Sequence, residues 1–349
     1  MSHDLPAPPV TSVDVAQRAG VSQSAVSLVF GGKANGRVGK HTQEAILQAA
    51  QELGYYPNRA ARSLRSGRSR LIVMAVPDVS NPYFAAVFQG AEYAARQHGY
   101  TVLLASVRNE LDWQPVVFDA LASQSVDGFL FFAMHPPTEA AHAALLGKAL
   151  LIDTTSDPLP SLLLDVEAGM HAAMSLLLDL GHTKIAHLAA AVVADTFHLR
   201  HKAYIDALQS AALPISTTYQ AWTAFTITDA RQAARRLLDV PEPPTAIVCD
   251  SDVLSVGVYK AARDLHFRIP QDLSVVGFDD SIIAHLLEPE LTSVAIPTGI
   301  LGEQALHMLL TLLETTNIPS DERISLDLVA RASTQAISAC SDRSGKGKV

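Results

Sequence analysis

The chain lacks what several classes of protein require. Two cysteines in 349 residues, Cys249 and Cys340, exclude a disulfide framework, and neither stands in the paired spacing of a zinc site or a redox motif. That usage fits a reducing cytoplasm. Met1–Val10 has neither the basic stretch nor the apolar run of an export signal, and no later apolar run reaches membrane-spanning length. Secretion and membrane insertion are not expected. No G-x-G-x-x-G follows a strand, and neither a G-K-[ST] phosphate loop nor a G-x-S-x-G elbow occurs, so the phosphate cradle and the nucleophile of common enzymes are both missing. No catalytic activity and no cofactor are expected. His182 and His187 stand five apart and His198 and His201 three apart, but with no cysteine or carboxylate arranged beside them they read as satisfied histidines rather than metal ligands.

What the chain does have is 48% hydrophobic and 17% charged residues, the mix of an ordered globular protein, at a length suited to two or three units. Its net charge of -9 is unevenly placed. Residues 1–70 hold 9 Lys and Arg against 4 Asp and Glu, a net +5, whereas the remainder holds 17 against 31, a net -14. A basic head on an acidic body suits a nucleic-acid-binding module joined to a sensing or catalytic body, although a solvated basic segment would show the same balance.

The head reads as short helices without strands. Ser12 can cap a helix through Arg18 that Gly20 ends, and Ser22 can cap a second, Gln23–Phe30, that stops at Gly31 and Gly32. The joint Ala19-Gly20-Val21-Ser22 is the tight turn of a helix-turn-helix. A third helix, Lys40–Leu53, places Ile46, Ala49, Ala50 and Leu53 on one stripe. From Leu71 onward, short β-branched or apolar runs alternate with amphipathic helical stretches, which is parallel βαβ construction. Ten strands are expected, the last a single one over Ile324–Val329. So many units fit two doubly wound lobes better than one sheet, with a division near Leu162 and a ligand cleft outside the carboxyl ends of the strands. The polar tail Ala336–Val349 reads as disordered and carries no leucine heptads.

Gln23, Ser24 and Ala25 open the second helix of the turn. They are residues that reach base edges in a major groove: glutamine pairs with adenine, serine with base or phosphate, and alanine meets a thymine methyl. Downstream, Asn58 is a good helix cap, and Arg59, Arg62 and Arg65 bring phosphate-reaching charge at helical spacing. Leu64, on a short basic helix between two domains, can wedge between base steps or pack against the neighbouring head.

The strings VTSVDVAQRAGVSQSAVSLVF from Val10 and LGYYPNRAARSLRSGRS from Leu53 resemble the head of the lactose-repressor/galactose-repressor family of bacterial transcription regulators. Later blocks agree in order: PDVSNPYF at Pro77, LGHTKIAHL at Leu180, TAIVCDSDVLSVG at Thr245 and LSVVGFDD at Leu273. The resemblance implies an α/β protein with an all-α helix-turn-helix head over 10–57 and a hinge over 58–70. It implies a two-lobed, periplasmic-binding-protein-like body over 71–335, the first lobe taking 71–161 and 293–320 and the second 162–290 and 321–335. It makes Ser12, Gln23, Ser24, Ala25, Ser27, Asn58, Arg59, Arg62 and Leu64 the DNA-binding set, with Leu64 the inserting leucine of the hinge. It lines the cleft with Tyr83, Phe84, Asp153, Arg200, Trp222, Ser251, Asp252 and Asp279. Leu28, Ser251 and Ala203 depart from the Arg, Asn and Gly that many members carry.

The expectation is a repressor that binds a pseudo-palindromic double-stranded DNA operator as a homodimer. It is controlled by a small-molecule effector, a sugar first and a nucleoside or nucleobase second. A solute-binding protein with the same body is the alternative, and the basic head argues against it.

Overall fold

Residues 10–56, 67–107, 119–120, 125–132, 139–315 and 320–337 are described by the structure, a computed structural model. They fall into two units, Met1–Ser69 and Arg70–Val349. The hinge residues Asn58, Arg59, Arg62 and Leu64, together with Cys340 and the tail from Ser338, lie outside the described residues.

The first unit holds α1 (Ser12–Ala19), α2 (Gln23–Phe30) and α3 (Lys40–Leu53). Thr11, not Ser12, caps α1: its Oγ1 accepts from the Asp14 amide while the Asp14 carboxylate accepts from the Thr11 amide at 2.7 Å, a reciprocal capping box. Two adjacent hydroxyls could each have served, and the aspartate three residues on selects the first. Ser22 caps α2 as expected, and Gly20 and Gly54 close α1 and α3 at φ 67° and 65°, where a Cβ would be strained. Val15, Ala16, Val26, Ile46, Ala49 and Ala50 are buried together, and Phe30 meets Tyr55 edge to face at 5.5 Å.

The second unit contains two six-stranded sheets. In chain order its elements are β1 (Leu71–Val76), α4 (Pro82–Gln97), β2 (Thr101–Ser106), β3 (Gly128–Phe131), α5 (Glu139–Leu145), β4 (Ala149–Ile152), β5 (Ser161–Leu164), α6 (Val166–Asp179), β6 (Ile185–Ala190) and α7 (Asp195–Ser210). There follow β7 (Gln220–Thr223), α8 (Ile227–Leu238), β8 (Ala246–Cys249), α9 (Asp252–Asp264), β9 (Ser274–Asp279), α10 (Ile282–Leu286), β10 (Thr292–Ala295), α11 (Thr298–Glu314), β11 (Glu322–Ile324) and β12 (Asp327–Val329). The first sheet has the order β11-β5-β4-β3-β1-β2 and is parallel throughout. The second has the order β12-β10-β9-β8-β6-β7, parallel except where β12 runs against β10. Strands such as β3, β4, β6, β8 and β9 are buried along their whole length, as parallel strands covered by helices on two faces must be.

Three of the expected boundaries move. β5 pairs with β4 and stays in the first sheet, so the first crossing lies just beyond Leu164 rather than at Leu162. β10 belongs to the second sheet and β11 to the first, the reverse of the expected lobes for these segments. The stretch Ile324–Val329, expected as one strand, is divided between the sheets, with Leu326 buried at the last crossing. Its alternating apolar residues satisfy a strand pattern equally well whether the chain stays in one sheet or changes sheets. β7 had no strong strand pattern and was not anticipated.

Helices α4 and α11 cross at very short range behind the first sheet. A Cβ on Gly302 would fall 2.0 Å from the Val87 carbonyl oxygen, and one on Gly90 would fall 2.2 Å from that of Gly299. The two glycines are what allow these backbones to touch.

Candidate functional site

On the head, Gln23, Ser24 and Ser27 are exposed along α2, the second helix of the turn. Gln23 Nε2 donates to Ser12 Oγ at 3.0 Å, so the start of α1 and the start of α2 form one polar patch. Ala25 is half-buried against the head core, which limits its reach toward a base.

In the body, a cavity of about 660 Å³ opens between the two sheets, a size suited to a small ligand. Its walls come from the carboxyl ends of strands in both lobes, the position at which open α/β sheets bind ligands. β1 leads into the loop 77–81, where Asp78 Oδ1 accepts from the amide and hydroxyl of Ser80 at 2.8 and 2.7 Å, and Asn81 caps α4 through the Tyr83 amide. This turn presents Tyr83 and Phe84, which form with Phe132 beyond β3 a three-ring cluster with centroids 5.0 to 5.8 Å apart. The second lobe faces it with Phe197 on α7 and Phe225 after β7, 5.6 Å apart.

Arg200 is the cation of the cavity wall. It is 3% exposed, its Nη1 donates to the Asp250 carbonyl, and its guanidinium lies 3.7 Å from the centre of the Phe278 ring. Around it stand three carboxyl groups. Asp250 is fully buried. Burial pushes its carboxyl up, but His187 beside it, with Nε2 at 2.9 Å, then Arg200 and the Ala190 amide outweigh burial and hold it below its ordinary range. Asp153, at the end of β4, is pushed up to about 6 by burial against the opposing pull of Arg200. Asp279, at the end of β9, is pushed up to about 8 by burial and by the charge of Asp252, while Ser251 Oγ donates to it at 2.7 Å. Asp153 and Asp279 have φ of 57° and 111°, backbone conformations that non-glycine residues seldom adopt and that concentrate at functional positions.

Four buried side-chain polar atoms among the described residues have no hydrogen-bond partner: Tyr83 Oη, Ser161 Oγ, Thr196 Oγ1 and Arg200 Nε. Tyr83, Thr196 and Arg200 all line the cavity. Leaving such an atom unpaired costs about 1–3 kcal/mol; of the three at this cavity, the Thr196 hydroxyl faces the Asp153 carboxyl and helps to hold it down, which leaves Tyr83 Oη and Arg200 Nε without a partner.

Five of the eight expected cleft residues, Tyr83, Phe84, Asp153, Arg200 and Asp279, thus meet at the cavity. The other three stand elsewhere. Trp222 points outward from edge strand β7, 52% exposed, with its ring 5.5 Å from His201. Ser251 caps α9 and reaches the cavity only through Asp279. Asp252, wholly buried, accepts from the Ser281 amide and hydroxyl and from the Ser293 hydroxyl at 2.7 to 2.9 Å, which ties the start of α9 to the cap of α10 and to β10 behind the wall. Ala203 is buried in the core. Phe132, Thr196, Phe197, Phe225 and Asp250 line the cavity without having been anticipated; a rule that inspects the residues just past each strand would have found Phe132, Phe225 and Asp250. The paired histidines are structural: His182 bonds Thr245 and Ser274, and His187 bonds Asp250 with its other nitrogen 3.3 Å from His201.

The family model for bacterial regulatory proteins, lacI family, matches residues 12–58, and that for a periplasmic binding protein-like domain matches residues 174–334. The HTH-type transcriptional repressor CytR of Escherichia coli is 29% identical over 332 residues, 94% of this chain and 97% of its own. The HTH-type transcriptional repressor PurR of Yersinia pestis is 31% identical over 313 residues, 86% of this chain and 89% of its own. Among solved structures, the lac repressor dimer bound to operator and the anti-inducer ONPF superposes with a TM-score of 0.81 at 27% identity, covering 94% of this chain and all (100%) of that one.

Proposed function

This chain belongs to the lacI family of bacterial regulatory proteins, and from that premise we propose that it represses transcription in the cytoplasm as a homodimer bound to an inverted-repeat operator, under control of a small molecule held in the interlobe cleft. The family assignment makes it a DNA-binding transcription regulator with an effector-binding body.

The observation that carries the effector reading is the cavity between the two lobes, walled by Asp153, Arg200 and Asp279 and by aromatic rings from both sides, with unpartnered polar atoms on Tyr83 and Arg200. A ligand that satisfies groups from both lobes favours one angle between them, and the chain crosses between the lobes three times, so their movement is constrained. Effector and operator affinities are then reciprocally coupled. On the head, Ser12, Gln23, Ser24 and Ser27 read bases and phosphates, with Ala25 held back against the head core, and one such element contacts too few bases to be selective alone, which calls for a pair of heads. The hinge segment with Asn58, Arg59, Arg62 and Leu64 supplies phosphate contacts and a minor-groove wedge.

A sugar is the first choice of effector, held by Asp153, Arg200 and Asp279 through paired hydrogen bonds. A nucleoside or nucleobase is the second, favoured by the facing aromatic groups Tyr83, Phe84 and Phe132 in one lobe and Phe197 and Phe225 in the other. The test is selection of bound sequences from random DNA with the full-length protein, followed by sedimentation of the complex. An inverted repeat carrying two chains is expected. A single half-site occupied by one chain, or a stable tetramer, would contradict the proposal.

A further inference from the structure

The histidine pair beside the cleft does more than brace the second lobe. His187 stands buried within β6, and its Nε2 lies 2.9 Å from Asp250 Oδ1. The other carboxylate oxygen of Asp250 accepts from the Ala190 amide at 2.8 Å, and its carbonyl accepts from Arg200 Nη1 at the cavity wall. On its other side, His187 Nδ1 is 3.3 Å from His201 Nδ1, with the two rings stacked at 5.5 Å and 14°. His201 in turn meets Trp222 of edge strand β7, with 5.5 Å between ring centres. Trp222, His201, His187, Asp250 and Arg200 thus form one line from an exposed edge of the lobe to the cleft.

The tautomers along this line follow from one charge. Although burial pushes its carboxyl up, His187, Arg200 and the Ala190 amide hold Asp250 below the ordinary range, so it is ionised and can only accept. His187 Nε2 therefore carries a hydrogen, the neutral ring leaves Nδ1 bare, and the hydrogen between the rings belongs to His201 Nδ1. That leaves Nε2 of His201 without a hydrogen; the residue is half-buried, and this nitrogen is not among the buried atoms that lack a partner. It is where a proton from water can enter. A proton bound there lets the Nδ1 hydrogen of His201 pass to His187 Nδ1, so the positive ring is the one beside Asp250 and no hydrogen bond is lost. A second proton cannot follow, because two N–H groups would then face each other at 3.3 Å.

We propose that His201 and His187 are a proton relay that takes up a single proton per chain from the lobe surface and sets the charge beside Asp250 and Arg200 in the cleft wall. Neither histidine lines the cavity, so both are positioning residues that act through Asp250. The groups that face the pair are Asp250 after β8, Arg200, His198 and Tyr204 on α7, and the uncharged Gln220 and Trp222 on β7. Tyr204 donates its hydroxyl to the Ile185 carbonyl, and Lys202 is paired with Glu167 and Asp206. Among these groups Asp250 favours the extra proton, and Arg200 opposes it. Burial, then the neighbouring His187, outweigh Asp250 and hold His201 below the ordinary histidine value of 6.5, so the pair is neutral above that pH and charges below it. By linkage, a ligand that brings charge into the cleft changes proton uptake by the factor by which the proton changes its affinity. That consequence rests on the cleft being the effector site; the relay itself does not.

Trp222 reports the relay directly, because an imidazolium against an indole quenches its emission. The sequence holds one other tryptophan, Trp113, so the full-length Trp113→Phe protein makes Trp222 the sole reporter. Its emission is expected to fall with a one-proton profile as pH is lowered through the histidine range, and His201→Asn to abolish the fall. Asp250→Asn removes the anion that draws the proton and should lower the midpoint by at least about one pH unit, a tenfold loss of proton affinity. Arg200→Gln removes the opposing cation of the cleft wall and should raise the midpoint by about half a unit. Either shift suffices should the other variant fail to fold. With the relay cut by His187→Asn, both shifts should largely vanish. The imidazole NMR resonances of the same proteins give the midpoint independently, and a pair that takes up no proton by either readout overturns the proposal. So does a midpoint that ignores both charge changes, or that still follows them without His187, since His201 is then a surface histidine with no path to the cleft. No effector is used, so failure of the relay leaves the effector reading standing, and failure of that reading leaves the relay.

Discussion

Replacing Asp279 with asparagine should make the ligand-free protein more stable while damaging its response to effector. Asp279 is 8% exposed and its carboxyl is pushed up from 3.8 to about 8 by burial and by Asp252. A folded-state value above the unfolded one means that the neutral acid is tolerated and the carboxylate is not. The stability it lends is complete below about pH 4 and is lost as pH rises toward 8. At about 1.4 kcal/mol per tenfold change in proton affinity, the whole span sets a ceiling of roughly 6 kcal/mol. Asp252 shares the penalty, so Asp279→Asn should recover only part of it above pH 8, on the order of 3 kcal/mol, with little gain at pH 4. Asparagine keeps the shape, can accept from Ser251 and tolerates the positive φ of this position better than most residues. For a unit of this size the gain corresponds to a rise in Tm of about 6–12 °C. Thermal unfolding of wild type and variant, followed from pH 4 to 9, measures it. A variant equal to or less stable than wild type at pH 8 would show that the Asp279 carboxylate carries no burden in the empty cleft.

Arg200→Ala should leave operator binding intact and abolish the effector response, as read by fluorescence anisotropy on operator DNA; an unchanged response would remove Arg200 from the switch. Gly302→Ala should destabilise the body by about 1–3 kcal/mol, because its Cβ would stand 2.0 Å from a backbone oxygen of α4 that cannot retreat without parting the helices. Denaturant unfolding checks it, and a neutral result would mean that the α4–α11 contact is loose. Gln23→Ala should cost about 1–3 kcal/mol of discrimination at one position of each half-site, visible when operator variants are compared. Leu64→Ala should weaken operator binding far more than nonspecific binding, and an equal loss on both kinds of DNA would refute the wedge.

Much of the head was legible because its signals are local. Gly20 and Gly54 end helices wherever they occur with that backbone freedom, and the stripe Ile46, Ala49, Ala50 and Leu53 has one good way to be buried. Ser12 and Thr11 were harder to separate, since the choice of cap depends on where the Asp14 side chain turns. In the body, the strands were readable from their apolar runs, but their membership in a sheet was not: the stretch 324–329 looks continuous and is shared between lobes. Trp222 fails for the same reason, because an edge strand with one face outward places it on the surface.

The sequence by itself determined the helix-turn-helix, the βαβ succession, the charge division between head and body, and the resemblance that pointed to five of the residues lining the cavity. These rest on periodicity, turn chemistry and motif order, all properties of neighbours in the chain. Only the tertiary structure decided which carboxyls reach the cleft. Asp250, Asp252 and Asp279 are all aspartates at or just beyond strand ends, yet Asp250 lines the cavity held by a histidine, Asp252 is spent behind the wall on Ser281 and Ser293, and Asp279 lines the cavity with only a serine hydroxyl on its carboxyl. The difference lies in partners 28 to 63 residues away, and the energy of a buried charge is set by what surrounds it in space.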